Sequence, residues 1–102
     1  MKGIIQKEKE CFACGCVWCL EEHHAFPGNP GRKLSEKYGL KVWLCQTHHR
    51  DAKQGVHGQN TDLKFRLKKI AQLKFEEKWG HELFMDTFKK NYQEEWWYEG
   101  QN

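Results

Sequence analysis

Cysteine recurs at positions 11, 14, 16 and 19 and histidine at 23 and 24, so one short stretch holds four of the five cysteines and two of the six histidines of a 102-residue chain. Thiolate and imidazole are the donors zinc favours, and structural zinc commonly takes them as two close pairs, each offered by a tight turn. Cys11-x-x-Cys14, with Gly15 after it, is one such pair, and Cys45-x-x-His48 is another. Together they predict a structural Zn2+ site. Cys16-x-x-Cys19 has the same spacing and competes for the role of first pair. Cys11 and Cys14 are favoured over it because Cys19 falls close to His24, where a strand is expected to have begun.

The histidines predict a second site. His23 and His24 are neighbours on a strand, so their side chains diverge and cannot do the same job. If His48 serves zinc with Cys45, its neighbour His49 must project elsewhere, back across the hairpin, and His57 follows in "GVHG". Imidazole titrates near physiological pH, so a histidine such as His24 can take a proton from water. A divalent cation can neutralise charge developing on a phosphate. Imidazole donors suit zinc, nickel or manganese, whereas magnesium prefers oxygen, so Mg2+, Mn2+, Ni2+ and Zn2+ stay open as the working ion.

The elements that must position these groups are short. Residues 20–26 and "LKVWL" at 40–44 read as strands, the latter alternating Leu40, Val42 and Leu44 with Lys41 and Trp43. Between them "PGNPGRKLSEKYG" reads as loop, with a helical turn around Ser35 to Tyr38. "QTHHRDAKQG" has room for about two helical turns ending at Gly55. Asn60 or Thr61 caps a longer helix with Leu63, Leu67, Ile70 and Leu73 near helical spacing, stopped at Gly80. Another runs from His81 to about Asn91 with Leu83, Phe84, Phe88 and Tyr92 on one face. The fold class is therefore α+β: a metal-bearing core over 11–58, a helical extension over 60–92 packed on it, and an aromatic, acidic tail over 93–102, within a single domain. Residues 1–10 are expected to be a loosely held lead-in, and Trp96, Trp97 and Tyr98 to cover apolar surface.

A chain this short buries too little surface to be generously stable on packing alone, which gives a metal staple its purpose. An odd cysteine count and an N-terminus without the apolar run of a secretory signal predict a reducing, cytoplasmic setting. No stretch approaches the roughly 20 apolar residues of a membrane span, so no membrane partner is expected. Seventeen basic residues against fourteen acids give +3, which permits a polyanionic partner without demanding one. Arg32 and Lys33 in the inter-strand loop and Arg50 beside the histidines are the candidate phosphate contacts. Lys64, Lys68 and Lys69 read as a solvated helix face. No base-reading helix is visible.

"EEHHAF", "LKVWLCQTHHR" and "GVHG" together resemble the HNH endonucleases over about residues 11–58. Within that superfamily the run from the histidine pair through "RKLSEKYG" to "GVH", and then "FEEKWGHELFM", is similar to small phage-encoded relatives of the recombination-enhancement, RecA-dependent nucleases. The resemblance implies a ββα-metal (His-Me finger) core, often zinc-stapled, with two further helices. It implies His24 as general base, His23 and His49 as ligands of the catalytic metal, and suits His57 as a third ligand. It further implies DNA as substrate, cleavage to 5′-phosphate and 3′-hydroxyl ends, a phage or prophage protein acting in a bacterial host, and a recombinase filament as a candidate partner. One departure stands out: the asparagine expected before the second strand is absent from "YGLKVWLC", and Asn29 and Asn60 are not at that spacing. A backbone carbonyl, Glu21 or Glu22 is expected to orient the base instead.

The competing expectation is a non-catalytic, zinc-stabilised module binding nucleic acid or protein, which the missing asparagine favours. A thiol redox protein would rest on Cys16-x-x-Cys19 alone and lacks the βαβ setting such motifs use.

Overall fold

The computed structural model describes residues 3–93. Leu20–His24 (β1) and Lys41–Cys45 (β2) form a two-stranded antiparallel sheet, with Gly31–Tyr38 (α1) in the connection between them. Gln46–Arg50 (α2), Thr61–Trp79 (α3) and His81–Phe88 (α4) follow. The result is a small α+β fold.

Register decides which side chains can meet. His23 lies opposite Val42 and His24 opposite Lys41. Cross-strand partners share a face and neighbours along a strand alternate. One face therefore carries Glu21, His23, Val42 and Leu44, and the other Glu22, His24, Lys41 and Trp43. β2 is more enclosed than a half-buried strand: Lys41 is only 6% exposed. Burial of an ammonium group is tolerated there because Glu36 and Glu22 both accept from it, at 2.9 and 3.3 Å.

The inter-strand segment holds a full two-turn helix where sequence predicts a loop with one turn. Pro30 stands just before the first turn, where a missing N–H is harmless. Gly39 closes α1 in the left-handed conformation at φ 71°, its N–H and that of Leu40 both donating to the Ser35 carbonyl. The buried Ser35 hydroxyl donates to the Phe26 carbonyl and accepts from the Phe26 N–H, fastening α1 to the end of β1.

α3 is the strut of the molecule. Leu63 and Leu67 join Cys11, Val42, Leu44, Cys45 and Val56 in one apolar cluster. One and two turns further on, Ala71 and Phe75 join Ala25, Phe26, Leu40 and Phe84 in a second. The buried row is thus 63, 67, 71 and 75 rather than the expected 63, 67, 70 and 73, and Leu73 is 47% exposed. Ala71, fully buried in the second cluster, is too small to mark that row in a hydropathy pattern. Phe26, Phe75, Phe84 and Phe88 stack against one another with ring centroids 4.5–5.9 Å apart. The helical extension thus packs over the part that carries the Cys/His groups.

The N-terminal lead-in is held, not loose. Ile4 N–H donates to the Gly39 carbonyl at 2.9 Å, the Gln6 side chain accepts from the Trp43 N–H at 2.7 Å, and Lys9 lies over the Trp43 ring. Ile4 and Ile5 pack on the core, a contribution two isolated apolar residues do not announce by any periodicity. α4 ends at Phe88, earlier than expected, with Lys89 at φ 65° closing it. Trp96, Trp97 and Tyr98 lie outside the described residues. Among the described residues no helix is long and apolar enough to cross a membrane.

Candidate metal centres

Cys11, Cys14, Cys45 and His48 come together, each offering a ligand atom within 4.8 Å of the others. The first pair is shaped by a knuckle in which Cys11 N–H donates to the Cys16 carbonyl and Gly15 N–H to the Cys11 carbonyl, with Gly15 at φ 78°. The Phe12 N–H then donates to the Trp43 carbonyl, docking the knuckle on β2. The second pair stands where β2 runs directly into α2, so Cys45 and His48 face the same point.

The spacing of the donors fits a tetrahedral ion. Bonds of ~2.3 Å to sulfur and ~2.0–2.1 Å to nitrogen put neighbouring tetrahedral donors roughly 3.4–3.8 Å apart. Cys14 and Cys45 sulfurs are 3.9 Å apart, and His48 Nδ1 stands 3.3 Å from Cys45 Sγ and 3.9 Å from Cys11 Sγ. The sulfurs are far outside disulfide distance. Thiolates this close resist ionising together. For Cys14, a backbone hydrogen bond from Cys16 favours the thiolate, but burial, the Cys11 and Cys45 thiols and the Cys11 charge outweigh it and push the thiol up to about 11. Cys11 moves the other way, because backbone hydrogen bonds from Cys45, Cys14 and Ala13 together exceed the cost of its burial. A bound cation is what would let all three carry charge.

Cys16 and Cys19 are not in this group. Cys16 exchanges weak hydrogen bonds with the Trp18 backbone, and Cys19 is exposed at φ 51°, just ahead of β1. The choice that spacing leaves open between the two pairs is made by the fold around the knuckle.

The second donor set is His23, His49 and His57. His23 comes from β1 and is 5% exposed; His49 comes from α2, one residue past His48. His57 arrives by a return loop, not the two-turn helix expected to end at Gly55. Asp51 accepts from the Lys53 and Gln54 N–H groups, breaking the helix, and Val56 and His57 N–H donate back to His48 and His49 carbonyls. A Cβ on Gly55 or Gly58 would collide with the Asp51 and Ala52 backbone, so only glycine permits this turn. The His49 and His57 Nε2 atoms end 3.0 Å apart, and the His23 ring centroid lies 5.4 and 4.9 Å from theirs.

His23 and His57 are poised as neutral ligands. Burial, helped by the neighbouring His57 and His49 rings, pushes His23 down to about 3, and burial followed by His49 lowers His57 as well. His49 Nδ1 donates to Glu21 Oε1 at 2.8 Å, which leaves Nε2 with the lone pair. A carboxylate behind an imidazole in this way is the usual support for a metal-ligating histidine.

Comparison with family models, curated proteins and solved structures finds no match. The chemistry of the site has to follow from its own residues.

A cleft of about 960 Å³ runs past the imidazoles, and His23, His49 and His57 line it together with His24, Arg32, Lys33 and Glu36. Because it takes in both faces of β1, diverging strand neighbours His23 and His24 share it. Arg50 does not line it; its guanidinium forks onto Glu21, Nε at 2.8 Å and a terminal nitrogen at 2.7 Å. Two carboxylates escape a reading of the motifs alone. Glu21 is on the same strand face as His23, a signal available from strand alternation, but it serves His49 and not the base. Glu36 accepts from His24 Nε2 at 2.8 Å, and the single helical turn expected around Ser35 to Tyr38 does not set its register against β1.

Proposed function

We propose that this protein is a metal-dependent, HNH-type endonuclease that hydrolyses DNA phosphodiester bonds with water activated by His24. The observation that carries the reading is that His24 shares one cleft with a three-imidazole donor set and two unburied cations, Arg32 and Lys33. A proton acceptor, a cation site and phosphate-binding groups in one groove are what phosphodiester hydrolysis requires. The strand, strand and short-helix order around the histidines supports likening this part to a ββα-metal core, with Zn2+ at Cys11, Cys14, Cys45 and His48 holding it.

In this reading Arg32 and Lys33 hold the DNA backbone over the groove. His24 takes a proton from water as the oxygen attacks phosphorus, the P–O3′ bond breaks, and the leaving O3′ takes a proton from solvent, giving 5′-phosphate and 3′-hydroxyl ends. A divalent ion at His23, His49 and His57 would neutralise charge on the phosphate and the leaving oxygen. A place in phage recombination, and a recombinase filament as partner, rest on the sequence resemblance alone.

The test is nicking of supercoiled plasmid with Mg2+, Mn2+, Ni2+ or Zn2+ supplied in turn. The wild type is expected to nick with at least one ion, and His24→Ala to lose ~10²–10⁴-fold while keeping its zinc content and its cooperative unfolding. DNA binding without cleavage under every ion would make the protein a zinc-stabilised binding module instead.

A further inference from the structure

His24 and Lys41 are direct cross-strand partners, and Glu36 on α1 spans them both. One carboxylate oxygen accepts from His24 Nε2 at 2.8 Å and the other from Lys41 Nζ at 2.9 Å. We infer that Glu36 is the positioning residue for the general base, holding the His24 ring in the Nε2–H tautomer so that Nδ1 is its proton-accepting atom. The inference rests on the nuclease reading above and deepens it.

The argument is one of donors and acceptors. An ionised carboxylate only accepts, so the nitrogen facing Glu36 must carry the hydrogen, and in the neutral ring that acts as a base the other holds the lone pair. Lys41 only donates, and its near-complete burial leaves its ammonium little freedom to seek water. Each Glu36 oxygen thus has one assigned donor, and the carboxylate cannot swing away without stranding one of them. Other side chains that could orient His24 are engaged elsewhere: Glu21 serves His49 and Arg50, Glu22 accepts from Lys41, and Asn60 caps α3 through Leu63 N–H while donating to the Gln54 carbonyl. Glu36 also stands three and four residues after Lys33 and Arg32, so one helix face presents the phosphate-binding cations and the carboxylate behind the base together.

This arrangement makes an unusual prediction for the near-isosteric Glu36→Gln. Lys41 keeps Glu22 as an acceptor, but an amide NH2 turned towards its ammonium would set donor against donor, so the amide oxygen faces Lys41 and the NH2 faces His24. The NH2 can only donate, so Nε2 becomes the acceptor and the hydrogen moves to Nδ1, disabling the base. Removing the Lys41 ammonium frees the amide to rotate and present its oxygen to His24 again. Glu36→Gln should therefore be rescued by a second change, Lys41→Met.

The experiment combines long-range 1H–15N correlation of the histidine rings, recorded with zinc present, with plasmid-nicking kinetics. Wild-type His24 is expected as the Nε2–H tautomer and Glu36→Gln as Nδ1–H. The single variant should lose ~10²-fold in kcat with KM within about twofold, and the double variant should regain at least about tenfold. A general loss of structure would not be reversed by a second substitution. An Nδ1–H tautomer in the wild type overturns the inference, as does a Glu36→Gln enzyme with wild-type kcat or a double variant no better than the single. A wild type with the expected tautomer that cleaves DNA with none of the four ions overturns the nuclease reading instead, and the positioning role with it.

Discussion

Glu21 on β1 and His49 on α2, 28 residues apart, are joined by a 2.8 Å hydrogen bond from the imidazole Nδ1 to the carboxylate. The bond turns Nε2 of His49 towards His57 and His23. Carboxylates in this position typically contribute 10–100-fold to metal affinity. Glu21→Ala is therefore expected to weaken binding of Ni2+ or Zn2+ at the imidazole set by ~10–100-fold in titration calorimetry. Zinc at Cys11, Cys14, Cys45 and His48, followed by elemental analysis, should be unchanged, since Glu21 touches none of these residues.

The four-residue group lies against the apolar cluster of Val42, Leu44, Leu63 and Leu67, so loss of its ion should be felt by the fold. Structural zinc contributes ~10–16 kcal/mol in small domains, as much as a typical domain's whole stability. Chelation at neutral pH, or Cys45→Ala, is expected to abolish cooperative thermal unfolding by circular dichroism. Replacing Cys16 and Cys19 together by Ser should shift the melting temperature little, because neither joins the group and Cys19 is exposed. Zinc binding should also release protons, since the Cys14 thiol, pushed up to about 11, is protonated beforehand. Calorimetry in buffers of different ionisation enthalpy would show this.

How legible all this was depended on whether a residue's role followed from local spacing. Cys-x-x-Cys, Cys-x-x-His and the paired histidines are short-range patterns, and the structure brings Cys11, Cys14, Cys45 and His48 to one point and His23, His49 and His57 to another. What spacing could not convey was long-range. The contact of Glu36 with His24 depends on α1 being a full helix, and a segment with two prolines and three glycines promised only one turn, around Ser35 to Tyr38. The burial of Lys41 depends on carboxylates from two other elements. The burial of Ala71 in place of Leu73 depends on which face of α3 meets the second apolar cluster. The Gly55–Gly58 turn that delivers His57 is set by backbone collisions that only the folded loop reveals.

The Glu36–Lys41 pair sets a pH signature. The hydrogen bonds from Lys41 and then His24 hold the Glu36 carboxyl below its usual range. Its contribution to stability is therefore present above the unfolded carboxylate value, ~4.3, and lost as pH falls through the lower folded value. For Lys41 burial opposes the charged form, but Glu36 and Glu22 outweigh it and raise the ammonium, so its contribution is lost only as pH rises past the ordinary lysine range. Glu36→Gln should lower the melting temperature across the neutral range, and the gap to wild type should close in acid. Because Glu36 is 57% exposed, the gap should also shrink with added salt.

Arg32 and Lys33 separate from Arg50 in their expected effect on DNA. The first two line the cleft, whereas the Arg50 guanidinium is already forked onto Glu21. Each phosphate contact releases condensed counterions, so removing one weakens binding with little regard to sequence and lowers the slope of log affinity against log salt by about 1. Arg32→Ala and Lys33→Ala are each expected to show that loss by fluorescence anisotropy on a labelled duplex over a range of salt concentrations. Arg50→Ala should leave the slope nearly unchanged and show itself instead in metal affinity, since Glu21 would lose one of the two partners that aim it at His49. Equal slopes for Arg32→Ala and wild type would place the DNA on some other surface than this cleft.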